Sequence, residues 1–342
     1  MSSRVTVQDI ADSLGLSRTT VSKVLNGSPA VSDNTRALVL NKARELNYRT
    51  LPQAEPVAAP ADPAPNYFAL VMHAIPGGLH IGTAVISGLD QVLRQEGYSL
   101  ITCAITDEEY QQMTLPPILT TPQIKAIVCI ELFHPEYTRL LNSLGKPILF
   151  IDACTAFREM DLAADLLLMD SRDSAHRMLR TLIRNHGITT MGFVGDADHC
   201  ISFRERYEAF LVSAAEGGVD TSRSIIGEDR FYGDPEWLRR KLEEMDQLPQ
   251  LFFCANDFLA ASLLNALEAM GKQVPKDVMV CGFDGIATSN RLTTVYTPSD
   301  QIGTHAATIL LHKVRSGSRI HTSCYLHTKV LFRESAPESK TE

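Results

Sequence analysis

The chain has 342 residues, 44% hydrophobic and 21% charged, with a formal net charge of −8. That length exceeds one ordinary domain and suits a small domain joined to a large two-lobed one. No apolar run is long enough to cross a bilayer as a helix, and the opening Met1-Ser2-Ser3-Arg4-Val5 lacks the apolar core of a signal peptide; no membrane partner and a cytoplasmic setting are therefore expected.

The seven cysteines are odd in number and scattered, and none stands in a Cys-x-x-Cys pair. They read as reduced, mostly buried thiols. The ten histidines show no metal-ligand spacing, so no metal and no other cofactor is expected. Charge is unevenly spread. Residues 1–50 hold seven Lys/Arg and four Asp/Glu, a balance of +3, which leaves −11 on the remaining 292 residues. A basic head on an acidic body suits contact with phosphate at one end only.

In chain order, Thr6 is a good N-cap for a first helix that places Val7, Ile10, Ala11 and Leu14 on one face. Gly15 supplies a turn. Ser17 caps a second helix, Arg18 to Leu25, with Val21, Val24 and Leu25 inward and Arg18, Thr19, Ser22 and Lys23 outward. Ser32 caps a third, Asp33 to Leu46, carrying Arg36, Lys42 and Arg44. Helix, glycine turn and helix at this spacing make a helix-turn-helix, whose second helix lies in the major groove and meets base edges with its N-terminal side chains.

Residues 51–66 carry Pro52, Pro56, Pro60, Pro63 and Pro65. That spacing forbids regular helix and favours extended geometry, so the segment reads as a linker. From Tyr67 the chain alternates apolar runs (FALVMHA, YSLITCA, AIVCIEL, PILFID, TMGFVGD, QLFFCAN, VMVCGFD) with amphipathic stretches at Ala84–Glu96, Arg172–Asn185, Arg204–Glu216, Pro235–Met245 and Phe258–Met270. Near-continuous apolar strands alternating with helices predict parallel sheets covered on both faces, with ligands at the carboxyl ends of strands. Those ends carry usable chemistry. Arg206, near a helix start, can clamp a hydroxyl pair, carboxylate or phosphate bidentately. Asn256 can donate and accept, and Asp284 can accept from two hydroxyls. Asp257 reads as the N-cap of Phe258–Met270, and Arg204 as a surface charge or an added anion contact.

The string VTVQDIADSLGLSRTTVSKVLNGSPAVSDNTRALVLNKARELNY resembles the head of the LacI/GalR family of regulators, with Leu16 replacing the commoner valine. The resemblance implies that Arg18 and Thr19 read bases, helped by Ser22 and Lys23. It implies that Thr6, Ser17, Asn26, Ser32 and Tyr48 hold the phosphate backbone. Three body segments extend it to Ser335: SFRERYEAFLVSA, QLFFCANDFLAASLLNALEAMGKQVPKDVMVCGFDG and VLFRESA. The fold implied is an all-α helix-turn-helix head plus an α/β body of two doubly wound parallel-sheet lobes of periplasmic-binding-protein type. The boundaries read as head 1–50, linker 51–66, effector-binding and dimerisation domain 67–335 and tail 336–342. Family members use the positions of Arg206, Asn256 and Asp284 for a sugar or related polyhydroxyl effector. Phe231 matches an aromatic that packs on effector rings, and Asp152, Ser202 and His80 are further candidates. His73 and His80 fall near the first strand–helix loop.

Three departures from the family pattern matter. Pro56 sits where a hinge helix should run, with Ala54 in place and Val57 at the wedge leucine's position. A proline inside a helix costs about 3 kcal/mol, so no ordinary hinge helix is expected. Asp170-Ser171-Arg172-Asp173-Ser174-Ala175 replaces Asp-Asn-x-x-Gly-Ala, and Asn185-His186-Gly187 replaces Gly-His, both near the lobe crossover. The resemblance implies a homodimeric repressor on a palindromic double-stranded operator. A ligand-binding module uncoupled from DNA is the second reading. An enzyme is the third, but the chain carries no Gly-x-Gly-x-x-Gly after its first strand, no phosphate loop and no Gly-x-Ser-x-Gly elbow.

Overall fold

A computed structural model describes residues 5–25, 66–73, 82–227, 232–286 and 290–339, together with residues 31, 35, 38, 39, 42, 43, 46 and 48. The chain divides into two compact units, Met1–Ala64 and Pro65–Glu342.

In the first unit, α1 spans Val7–Leu14 and α2 spans Arg18–Leu25. Thr6 and Asp9 form a reciprocal capping box, and Gly15 closes α1 at φ 64°, a left-handed position that a residue without Cβ enters cheaply. Ile10 and Ala11 of α1 meet Val21, Val24 and Leu25 of α2, with Val39 and Ala43, in one buried cluster. Thr35, Leu38, Val39, Lys42 and Ala43 are helical, which is the described part of the third helix expected over 33–46.

The second unit contains two α/β lobes. The first holds β1 (Tyr67–His73), β2 (Ser99–Ile105), β3 (Ile124–Ile130), β4 (Ile148–Ile151) and β5 (Asp165–Met169). They form one sheet with a late strand, β11 (Ser323–Leu326), in the order β11-β5-β4-β3-β1-β2. Every pairing is parallel. The period of two explains why the strands are apolar throughout. Ala69 and Val71 of β1 face one buried layer with Ile127, Cys129 and Phe150, where α5 (Pro135–Asn142) contributes Tyr137 and Leu141. Phe68, Leu70 and Met72 face the other, against Val85, Leu89 and Leu93 of α3 (Gly82–Gln95). A short helix, α4 (Asp107–Gln112), follows β2.

The chain then crosses. Helix α6 (Ser171–His186) leads into the second lobe, whose sheet runs β7-β6-β8-β9, all parallel. Its strands are β6 (Met191–Gly195), β7 (Ile225–Ile226), β8 (Leu251–Cys254) and β9 (Met279–Cys281). Helices α7 (Ile201–Gly217), α8 (Pro235–Glu243) and α9 (Asp257–Ala269) complete it. A two-stranded ribbon, β10 (Thr294–Tyr296) with β12 (Lys329–Leu331), lies beside it. Helix α10 (Ser299–Ser316) and β11 return to the first lobe. The crossings are bonded together: Asp170 N–H donates to Leu326 O at 2.8 Å, and Thr328 Oγ1 donates to Asp170 O at 3.0 Å.

Both sequence departures near this crossover have a structural use. Asp170 caps α6 through Asp173 N–H, and Thr328 Oγ1 lies 2.7 Å from Ser174 Oγ, where the family pattern has glycine. Asn185 Nδ2 donates to Glu338 O and His186 Nε2 meets Pro337 O, both at 2.7 Å, which fastens the end of the chain to the second lobe.

Helix α10 was not visible as an amphipathic stretch. Its buried residues Ile302, Ala306, Ala307, Leu310 and Leu311 are interrupted by Gly303 and by polar residues. The glycine marks a close crossing with α3: a Cβ on Gly303 would lie 2.1 Å from Val85 O, and one on Gly88 2.5 Å from Asp300 O. Gly303→Ala should destabilise the protein by about 1–3 kcal/mol or more, because neither backbone can yield without moving a helix. Gly233→Ala, with nothing within 4 Å of its new Cβ, should stay within about 0.5 kcal/mol of the parent. Urea midpoints of the two variants check this, and equal midpoints would contradict it.

Candidate functional site

The head offers a helix-turn-helix with its candidate base readers on the outside. Arg18, Thr19 and Lys23 are exposed and Ser22 is half-buried, while Val21, Val24 and Leu25 hold the opposite face in the core. The two expected phosphate contacts at helix starts are also caps. Thr6 Oγ1 accepts from Asp9 N–H at 3.3 Å and donates to Asp9 Oδ2 at 2.8 Å. Ser17 Oγ accepts from Thr20 N–H at 3.0 Å. A cap and a phosphate contact share one location, because unsatisfied N–H groups at a helix start attract both. Tyr48 is half-buried against the head core, and its N–H donates to Ala43 O at 2.9 Å. Asn26, Ser32 and the segment with Pro52, Pro56 and Val57 lie outside the described residues.

In the second unit a cavity of about 570 Å³ opens at the carboxyl ends of strands from both lobes. Asp152 follows β4, Asn256 follows β8, Asp284 follows β9, and Ser202 and Arg206 stand in the first turns of α7; all five line it. Sequence reasoning therefore placed five candidates together. His80 and Phe231 lie outside the described residues.

The geometry changes what two of them can do. Arg206 is only 4% exposed, and its fork is aimed into the protein. Nη2 donates to Asp284 Oδ1 at 3.0 Å, Nη1 to Ala255 O at 2.6 Å and Nε to Ser171 Oγ at 3.4 Å. Its guanidinium carbon lies 3.7 Å from the Phe283 ring centroid, a desolvated cation–π contact. All three nitrogens bond the protein, one of them to Asp284, so the fork that the sequence offered to a hydroxyl pair, carboxylate or phosphate is shared among protein partners, with two of its five N–H groups outside these bonds. Burial pushes the Asp284 carboxyl up, against the pull of Arg206. Asn256 was expected to donate and accept. Its Oδ1 is taken by Leu259 N–H at 2.8 Å, which leaves Nδ2 as the donor toward the cavity.

That bond also corrects the cap. Asn256, in extended conformation at φ −148°, is the N-cap of α9, whereas Asp257 was expected there. Asp257 is the first helical residue and fully buried, and it reaches to β10, accepting from Thr294 Oγ1 at 2.7 Å and Ile286 N–H at 2.8 Å. Burial raises its carboxyl to about 7, with Asp284 adding to the push and those two hydrogen bonds opposing it. Arg204, left open between surface charge and anion contact, is half-buried and pairs with Asp198.

Several lining residues were missed: Tyr110, Glu131, Phe133, His134, His199, Phe203 and Thr297. His73 also lines the cavity, stacked on Tyr110 at 4.0 Å and bonded to Asp107 at 3.1 Å. Glu131 was legible by the rule that found Asp152, since each ends an apolar strand. Phe133, His134 and His199 sit in loops after strands, where periodicity carries no signal, and Tyr110 and Phe203 stand in helices, where an aromatic reads as core.

Comparison with known proteins now decides the family. Residues 6–50 match the model of bacterial regulatory proteins of the lacI family, and residues 181–336 match that of the periplasmic binding protein-like domain. The chain belongs to the LacI/GalR family of regulators. The HTH-type transcriptional repressor PurR of Pasteurella multocida (strain Pm70) is 25% identical over 347 residues, covering 96% of this chain and 98% of that one. PurR of Vibrio vulnificus (strain CMCP6) is likewise 25% identical, over 337 residues, with 96% and 98% covered. Among solved structures, a CelR–cellobiose complex matches at TM-score 0.68 and 20% identity, covering 97% of this chain and 100% of that one. A lac repressor dimer bound to operator and an anti-inducer matches at TM-score 0.68 and 19% identity, with 98% and 100% covered. These structures share the fold.

In this LacI/GalR regulator, Asp257 gives a pH dependence with a definite sign. Its folded value, about 7, lies above its unfolded value near that of an ordinary aspartate. The folded state therefore holds a proton that the unfolded state has released between about pH 4 and pH 7. The stability it contributes is complete below that window and is lost as pH rises through it. Asp257→Asn should flatten this decline, so its unfolding free energy should fall less than the parent's between about pH 5 and pH 7.5. Parallel declines in urea unfolding across that range would contradict the assignment.

Proposed function

We propose that the protein is a transcriptional repressor that binds a palindromic operator as a homodimer and is controlled by a small polar ligand in the cleft. The observation that carries the DNA half is the outward face of α2, where Arg18, Thr19 and Lys23 are exposed on a helix anchored by Val21, Val24 and Leu25. Supporting it are the lacI-family match over residues 6–50 and relatives that are named repressors. Arg18 would read guanine, Thr19, Ser22 and Lys23 would add contacts, and Thr6, Ser17, Asn26, Ser32 and Tyr48 would hold phosphates. Two heads would span half-sites about one helical turn apart. Head, linker and effector domain would divide at 1–50, 51–66 and 67–335.

The cleft supports a polyhydroxyl ligand. Asn256 offers a donor, and Asp152 and Asp284 offer acceptors. Neighbours of the same fold hold cellobiose and ribose. Closure of the cleft on its ligand would change operator affinity by a coupling of about 1–3 kcal/mol. Pro52 and Pro56 would loosen that coupling by opposing a hinge helix.

Selection from a random DNA library with the full-length protein should enrich a palindrome. On that site Arg18→Ala should lose about 1–3 kcal/mol of affinity and relax preference at one symmetric position. Fluorescence anisotropy on the selected site and on a scrambled duplex reads both. An unchanged difference between the two duplexes would remove Arg18 from the reading set, and no enriched palindrome would overturn the regulator assignment.

A further inference from the structure

Among the described residues, three carboxylates and one permanent cation line the cleft: Glu131, Asp152 and Asp284 against Arg206. Arg206 pairs with Asp284, which leaves Glu131 and Asp152 without a permanent countercharge among the described lining residues. Asp152 Oδ1 accepts from Ala153 N–H at 2.8 Å and Ser202 N–H at 3.3 Å. The Cys200 thiol also bonds Asp152, whereas Glu131 takes no hydrogen bond from the described residues. Asp284 is 8% exposed, and its Oδ2 also has no hydrogen-bond partner among the described residues, although it stands in the cavity wall.

The backbone holds all three carboxylates in one unusual way. Glu131, Asp152 and Asp284 have φ of 52°, 59° and 110°, and with Met113 they are the described non-glycine residues at positive φ. Such conformations persist where the surrounding fold over-determines them, and they gather at functional sites. Burial pushes the Glu131 carboxyl up, His199 opposes this and Asp284 adds to it. The other histidines face carboxylates of their own: His73 meets Asp107 and His134 meets Glu136. Around the carboxylates stand the rings of Tyr110, Phe133 and Phe203, whose faces attract cations. Among the described residues no cluster of three or more metal-ligating side chains is placed to hold a metal ion.

We infer that the cleft takes a hydroxylated amine, such as an amino sugar, whose protonated nitrogen seats against Glu131 and Asp152. Phosphorylated and carboxylated metabolites are disfavoured, because three carboxylates of the described lining would repel them and its described arginine already pairs with one of the three. This inference rests on the cleft being the effector site.

The test is titration calorimetry of the full-length protein with matched probes. Glucose, galactose and mannose are each used as the 2-amino sugar, the neutral sugar, the 6-phosphate and the uronate, and serinol is paired with glycerol. At least one amine should bind about ten-fold or more tightly than its neutral partner and should weaken with added salt. Glu131→Gln and Asp152→Asn should each cost that amine about ten-fold, with melting curves confirming that both variants fold. Equal or tighter binding of a neutral or anionic partner, amine affinity unchanged in both variants, or no amine bound at all would overturn the inference. If a neutral or anionic probe binds and Asn256→Ala abolishes it, the cleft reading stands and only the charge inference fails. Binding untouched by Asn256→Ala would overturn the cleft reading itself.

Discussion

The buried Arg206 fork is the interaction on which the cleft depends. One guanidinium ties together four parts of the fold: α7, which carries it, the end of β8 through Ala255, the loop after β9 through Asp284, and the crossover through Ser171. A desolvated ion pair of this kind gains little net stability over a hydrophobic replacement, but breaking one side leaves a buried charge at a cost of about 3–5 kcal/mol. Its value lies in position. Asp284 is held at a φ of 110°, with its N–H donating to Val295 O and its carbonyl accepting from Thr297, and Arg206 then fixes its carboxylate.

Around this fork the two lobes meet through crossings that are themselves hydrogen-bonded. The bonds between Asp170 and Leu326 and between Thr328 and Asp170 join the outgoing and returning chain at one point. Arg206 reaches that point through Ser171, the residue next to Asp170. A change at the cleft is thus one side chain away from the pivot about which the lobes would move. Allosteric control would require this crossing to take two arrangements, with the ligand favouring one.

Much of this was legible in the sequence. Apolar runs ending in polar residues gave the strands, and the strand-end rule brought Arg206, Asn256, Asp284, Asp152 and Ser202 to one cavity. The capping residues Thr6 and Ser17 were legible because N-caps have a strong local chemistry. What failed was anything set by partners distant in sequence. The engagement of Arg206 depends on Asp284, 78 positions away, and no local pattern reports it. The exchange of roles between Asn256 and Asp257 turned on a backbone angle, and the pull of Thr294 on Asp257 comes from another strand. Helix α10 was hidden because its contact with α3 is made by glycines, which add nothing to an apolar stripe.

The most direct test of this account is a double-mutant cycle on the fork, using Arg206→Met, Asp284→Asn and the double variant, each followed by urea unfolding. The account predicts that Arg206→Met alone costs about 3–5 kcal/mol and that adding Asp284→Asn restores part of the loss, a coupling of about 2 kcal/mol or more. Costs that add to within about 0.5 kcal/mol would mean that the two groups act independently, and the fork would then not be what organises the cleft.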